Sequence, residues 1–184
     1  NISIFYNMMG LALSKLGKFN DAILVLKKGL GINQNDLAII NNLANAYKNT
    51  FHYEEAEKLY KISIEKKKDY FNAYVNYGNL KRDLNNFTEA IAQYKNALCY
   101  NKNIPDIYYS LSMAYQALGN FKEAEAYAKK ATEINNKYTK ADLLISRSRK
   151  YNAEDEHLKK MNEKLLKENL NNSEKVDLYF ALAK

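Results

Sequence analysis

A chain of 184 residues, 47% hydrophobic and 27% charged, can bury a sizeable core, and one Pro with six Gly leaves little of the punctuation that strands and long loops need. The lone Cys99 excludes an internal disulfide and no apolar run is long enough to span a bilayer, so the expectation is a cytoplasmic, all-α protein with no membrane contact. The net charge of +7 admits a polyanion, but Lys27, Lys28, Lys66, Lys67, Lys68, Lys129 and Lys130 fall at the ends or outer faces of predicted helices, where cations are solvated and complement the dipole.

Taken in order, the elements recur every 34 residues, giving units 3–36, 37–70, 71–104 and 105–138. The fourth place of each unit holds Tyr6, Ile40, Tyr74 or Tyr108. The seventh and eighth hold Met9-Gly10, Leu43-Ala44, Tyr77-Gly78 and Leu111-Ser112. A second helix opens on Phe19, Tyr53, Phe87 or Phe121, with Ala22, Ala56, Ala90 or Ala124 one turn on. Position 24 carries Leu26, Tyr60, Tyr94 and Ala128, and position 27 carries Gly29, Ser63, Ala97 and Ala131. Bulky and small residues alternating at helical spacing are what two interdigitating helices require.

Between the two helices of each unit, position 15 calls for a left-handed residue. Gly17, Gly119 and Asn85 suit it. Phe51 does not, so the second turn is expected to be reshaped. Beyond 138 the consensus lapses. A helix is expected over 139–151 and a longer one over 153–170, capped by Asn152. A third follows Asn171-Asn172-Ser173, with Leu182-Ala183 matching positions seven and eight of a further repeat. This atypical tail occupies 139–184. The opening at Asn1 and a helix running to Lys184 suggest a piece of a longer protein, with bare stacking faces open to end-to-end self-association.

Residues 3–138 resemble tetratricopeptide repeats, which implies a right-handed α-α superhelical solenoid of helix hairpins acting as a protein- or peptide-binding scaffold. The tail, with LLISRSRKY, DEHLKKM and NNSEKVDLYFALAK, resembles the stretch that precedes the catalytic domain in bacterial tetratricopeptide-repeat sulfotransferases. That resemblance implies an alternative: the substrate-recruiting part of such an enzyme, or of a related protein-modifying transferase. The nucleotide-sulfate loop of that family is not found, since Ser146-Arg147-Ser148-Arg149 lacks glycine and falls on a predicted helix.

The residues themselves offer no catalytic constellation. His52 and His157 are far apart, Cys99 has no partner, and no metal spacing or phosphate-cradling glycine loop occurs, so no catalytic residue, metal or cofactor is expected. Both histidines read as exposed polar residues, and the tyrosines as core.

In such an array the first helices line a concave groove with positions 2, 5, 6, 9, 12 and 13. The candidate peptide-binding residues there are Asn41, Asn42, Asn45 and Lys48, then Asn72, Asn76, Asn79 and Arg82, then Tyr109 and Met113. An Asn amide both donates and accepts, so it matches a peptide backbone in both senses. Helices about 8–10 Å apart would set Asn42 and Asn76 about three residues apart along an extended peptide. This resembles the asparagine ladder of repeat domains in some protein-glycosylating enzymes, here with two rungs because Met8 and Ser110 interrupt it. Lys15, Lys48 and Arg82 form a cationic edge expected to favour acidic peptides, while Asp83 and Asp106 break any continuous basic stripe, which argues against nucleic acid.

Overall fold

The computed structural model describes residues 2–152 and 154–183, and every regular element in them is a helix. The chain divides into two compact units, Asn1–Tyr100 and Asn101–Lys184.

The first unit contains three helix hairpins: α1 (Ile2–Lys15) with α2 (Phe19–Ile32), α3 (Leu37–Asn49) with α4 (Tyr53–Lys66), and α5 (Phe71–Asp83) with α6 (Phe87–Tyr100). Within a hairpin the small eighth residue faces the large residue at position 24. A Cβ on Gly78 would lie 2.6 Å from the Tyr94 ring, so only glycine lets α5 approach α6 this closely. In the middle hairpin Ala44 and Tyr60 share one core cluster with Ala56, Tyr77 and Leu80. Between hairpins, Ile39, Leu43 and Ala46 of α3 pack on Ala22, Ile23 and Leu26 of α2. Asp36 caps α3 by accepting from the Ala38 and Ile39 amides at 3.1 and 3.2 Å, and its other oxygen takes the Ser3 hydroxyl at 2.9 Å.

The turn inside the second hairpin is not reshaped. Phe51 adopts φ 64°, beside 74° at Gly17 and 59° at Asn85. The reason lies in the hydrogen bonds that close the helix end. His52 N–H reaches the Tyr47 carbonyl at 2.9 Å, as Lys18 N–H reaches Leu13 at 2.9 Å and Asn86 N–H reaches Lys81 at 2.8 Å. That bond captures an otherwise orphaned carbonyl and requires the intervening residue to be left-handed. Thr50 secures the turn further, with its hydroxyl on the Ala46 and Tyr47 carbonyls and the His52 ring on the hydroxyl at 2.9 Å.

The second unit pairs α7 (Pro105–Ala117) with α8 (Phe121–Ile134), then adds α9 (Thr139–Ser148), α10 (Glu156–Lys167) and α11 (Asn172–Leu182). Ala128 and Ala131 of α8 meet Ala141, Leu144 and Ile145 of α9. α9 stops at Ser148, short of the expected 151. α10 is capped by Asp155, which accepts from the His157 amide at 2.8 Å, while Asn152 instead bridges to the Glu154 amide; Ala153 lies outside the described residues. α11 opens on a capping box between Asn171 and Glu174. Its seventh residue is therefore Leu178, fully buried with Ala181, and Leu182 is its last.

Candidate functional site

The candidate asparagines of the first unit are placed differently from one another. Asn42 donates its side-chain N–H to Asn7 Oδ1 at 2.8 Å, and Asn76 donates to Asn41 Oδ1 at 3.1 Å. Each bond runs from the sixth position of one repeat to the fifth position of the repeat before it. Asn42 and Asn76 are half-buried and held in the same sense, each with a second N–H and a carbonyl oxygen beyond the bond described. Asn41, by contrast, is only 6% exposed, because it sits under Asn76 as its acceptor. Little of its side chain is therefore left open to a ligand.

Asn45 and Asn79 are committed elsewhere. Each accepts from the tyrosine at position 24 of its own hairpin: Tyr60 to Asn45 at 2.6 Å and Tyr94 to Asn79 at 2.8 Å. A buried phenol needs a partner, and the ninth position of the first helix supplies it. Burial, with the Asp83 carboxylate nearby, pushes the Tyr60 phenol above its ordinary pKa, which keeps it a donor. Asn72 is exposed at the second residue of α5.

Two of the three cations of the expected edge are engaged within the protein. Lys48 Nζ lies 2.8 Å from Asp83 Oδ2, and Arg82 Nη2 lies 3.1 Å from Asp83 Oδ1. One carboxylate thus occupies both cations. Partial burial raises the Asp83 carboxyl, but the hydrogen bonds and charges of Lys48 and Arg82 outweigh it and hold it below the usual 3.8. Lys15 stays exposed at the end of α1.

Tyr109 and Met113 belong to the second unit. Tyr109 packs edge-on against Tyr138 at 5.7 Å, and Met113 is exposed on α7. Sequence reasoning missed two features of this unit. Leu143 and Arg147 of α9 and Val176 and Phe180 of α11 border an open concavity of about 630 Å³. His157 is not an exposed polar residue: its Nε2 lies 3.0 Å from Asp142 and its Nδ1 lies 2.6 Å from the Tyr151 hydroxyl. Lys164 completes this brace between α9 and α10, 2.7 Å from Asp142. The spacing of His157 and Lys164 along one face of α10 was the available signal, but the acceptor they share is on another helix.

Among the described residues no cluster of His, Cys, Asp and Glu could hold a metal ion, and no helix is long and apolar enough to cross a membrane.

Three family profiles describe the same repeat. Two tetratricopeptide-repeat profiles match residues 4–36 with 105–138 and residues 37–68, and a TPR-repeat profile matches 78–119. The chain belongs to the tetratricopeptide-repeat proteins, a class of scaffolds for protein–protein interaction. Protein O-mannosyl-transferase TMTC3 of Homo sapiens and of Mus musculus are each 34% identical to it over 80 residues, 43% of this chain. The match spans 9% of the length of those relatives. Among solved structures, Pseudomonas aeruginosa PilF superposes with a TM-score of 0.75 at 17% identity, covering 98% of this chain and 75% of that one. TTC0263, a thermophilic TPR protein of Thermus thermophilus, gives 0.72 at 18% identity, covering 99% and 100%. MamA gives 0.68 at 20% identity, covering 95% and 92%. At these identities the structures establish the all-helical repeat fold.

Proposed function

We propose that the concave face of the first unit holds an extended peptide segment of a protein partner, gripped through its main chain by Asn42 and Asn76. The observation that carries this reading is the shared orientation of the two amides. Each is fixed by an asparagine of the preceding repeat, at 2.8 and 3.1 Å, so neither has to be ordered when a ligand arrives. An oriented amide presents a donor and an acceptor to a backbone that carries both. Asn45 and Asn79 act behind this surface, locking each first helix to its partner. Fluorescence anisotropy with labelled extended peptides tests the reading on the Asn42→Ala, Asn76→Ala double variant. Loss of about two net hydrogen bonds weakens binding by roughly tenfold or more. Unchanged affinity in a variant with intact helical circular dichroism would sink the reading.

The similarity to Protein O-mannosyl-transferase TMTC3 favours a second reading at the level of the parent protein. In it the repeats recruit substrate for a protein-modifying transferase, of which a tetratricopeptide-repeat sulfotransferase is one form. Coding sequence downstream of Lys184 decides it. A donor-binding loop there supports the transferase, and further repeats alone count against it.

A further inference from the structure

We infer that Asp83 is a selectivity residue of the groove, an internal carboxylate that occupies Lys48 and Arg82 and so turns acidic peptides away in favour of uncharged ones. The inference rests on the peptide-binding reading above and names the class of ligand that the site accepts.

Three observations lead to it. The cations on the middle of this face, Lys48 at the end of α3 and Arg82 at the end of α5, are the ones that would attract an acidic side chain. Both already contact Asp83, at 2.8 and 3.1 Å through different oxygens, so the carboxylate bridges two neighbouring first helices. All three side chains are a third exposed or less, with Lys48 at 20%, Arg82 at 30% and Asp83 at 33%. Charges in such a setting are screened less than on an open surface, and the resident pair competes directly with an incoming anion.

A ligand carboxylate approaching Lys48 must displace Asp83 or lie beside it, and like charges side by side repel. A neutral amide meets no such penalty. Asn42 and Asn76, each six residues closer to its helix start than the cation on the same helix, offer it neutral donors and acceptors. The net effect is a face that reads hydrogen bonds in preference to charge.

The experiment uses the full chain and two labelled probes, acetyl-hexaglutamine and acetyl-hexaglutamate amides, titrated by anisotropy at low and high salt. The unaltered protein binds hexaglutamine more tightly than hexaglutamate. Asp83→Asn frees both cations and is expected to tighten hexaglutamate binding by about fivefold at low salt, the range of a partly exposed ion pair. The gain disappears at high salt. Adding Lys48→Met to Asp83→Asn removes it again, which a merely structural role for Asp83 would not produce. Asp83→Asn without any gain for hexaglutamate overturns the inference, as does an unaltered protein that already prefers hexaglutamate. The parent reading fails separately, when Asn42→Ala with Asn76→Ala leaves hexaglutamine binding unchanged while Asp83→Asn still gains hexaglutamate.

Discussion

Phe51 holds φ at 64° and is 76% exposed, in a turn where the first repeat has Gly17 and the third has Asn85. A left-handed conformation costs a residue with Cβ about 1–2 kcal/mol, and the edge-on contact with Tyr53 at 6.0 Å recovers little of it at an exposed site. Phe51→Gly is therefore expected to stabilise the protein by about 1 kcal/mol, after the entropy glycine loses on folding. Urea unfolding checks it, and a lower midpoint would show that the ring contributes more than the strain. The need for a left-handed residue here was legible from position 15. That Phe51 would accept it was not, because residue type at position 15 does not reveal how firmly the bonds from His52 to Tyr47 and from Thr50 to Ala46 close the end of α3. The same limit applies to the asparagines. Residue type marked them as polar on a first helix, yet Asn41 and Asn42 are adjacent in sequence and do opposite jobs. Asn41 accepts from Asn76 and is buried beneath it, whereas Asn42 is half-buried and donates to Asn7.

Among the elements, the pairing of small with large residues across the three hairpins of the first unit was fully legible, since it repeats at a fixed period. The polar contacts between hairpins were not. Glu57 on α4 takes Lys81 of α5 at 2.9 Å, the Tyr77 hydroxyl at 2.8 Å and Lys61 of its own helix at 2.6 Å, while Lys81 also lies 3.1 Å from Glu89 on α6. Burial raises the Glu57 carboxyl, but the hydrogen bonds from Lys61, Lys81 and Tyr77 outweigh it and hold the pKa at about 2, against an ordinary 4.5. A depressed carboxyl contributes stability that is whole above pH 4.5 and is lost as pH falls through 2. Glu125, held at about 2 by Arg149 above all, adds an acid-sensitive contribution of the same sign in the second unit. Lys81→Met is expected to cost about 2 kcal/mol at neutral pH, the scale of hydrogen bonds to charged groups. The difference from the unaltered protein should shrink between pH 4.5 and pH 2 as Glu57 protonates. Unfolding curves at neutral and acid pH measure it, and a difference that does not change with pH would contradict the assignment. The tail shows where periodicity runs out. Without a repeat to fix the register, Asn152 and Asp155 are equally good caps by type, and only the chain's path after Ser148 selects Asp155.

At the level of the whole molecule, the repeat architecture and the scaffold class follow from one period, and the family matches agree with it. What the period does not carry is the use made of each face. In the first unit, positions that a composition argument would give to the ligand divide among inter-helix locks at Asn45 and Asn79, a support at Asn41, and two oriented rungs at Asn42 and Asn76. Of the cationic edge expected to draw acidic peptides, Lys48 and Arg82 are already bridged by Asp83. The second unit has a different surface, with Val176 and Phe180 exposed beside Leu143. The proposed capture of a peptide by the first unit depends on two side-chain amides, and these are directly observable. Side-chain NH2 resonances of Asn42 and Asn76, followed by ¹H–¹⁵N NMR during titration with the hexaglutamine peptide, test it most directly. The expected result is a saturable shift of both amides, with the Asn45 and Asn79 amides moving little because the tyrosine hydroxyls already hold them. A peptide that binds while leaving Asn42 and Asn76 unmoved would contradict capture by these two rungs.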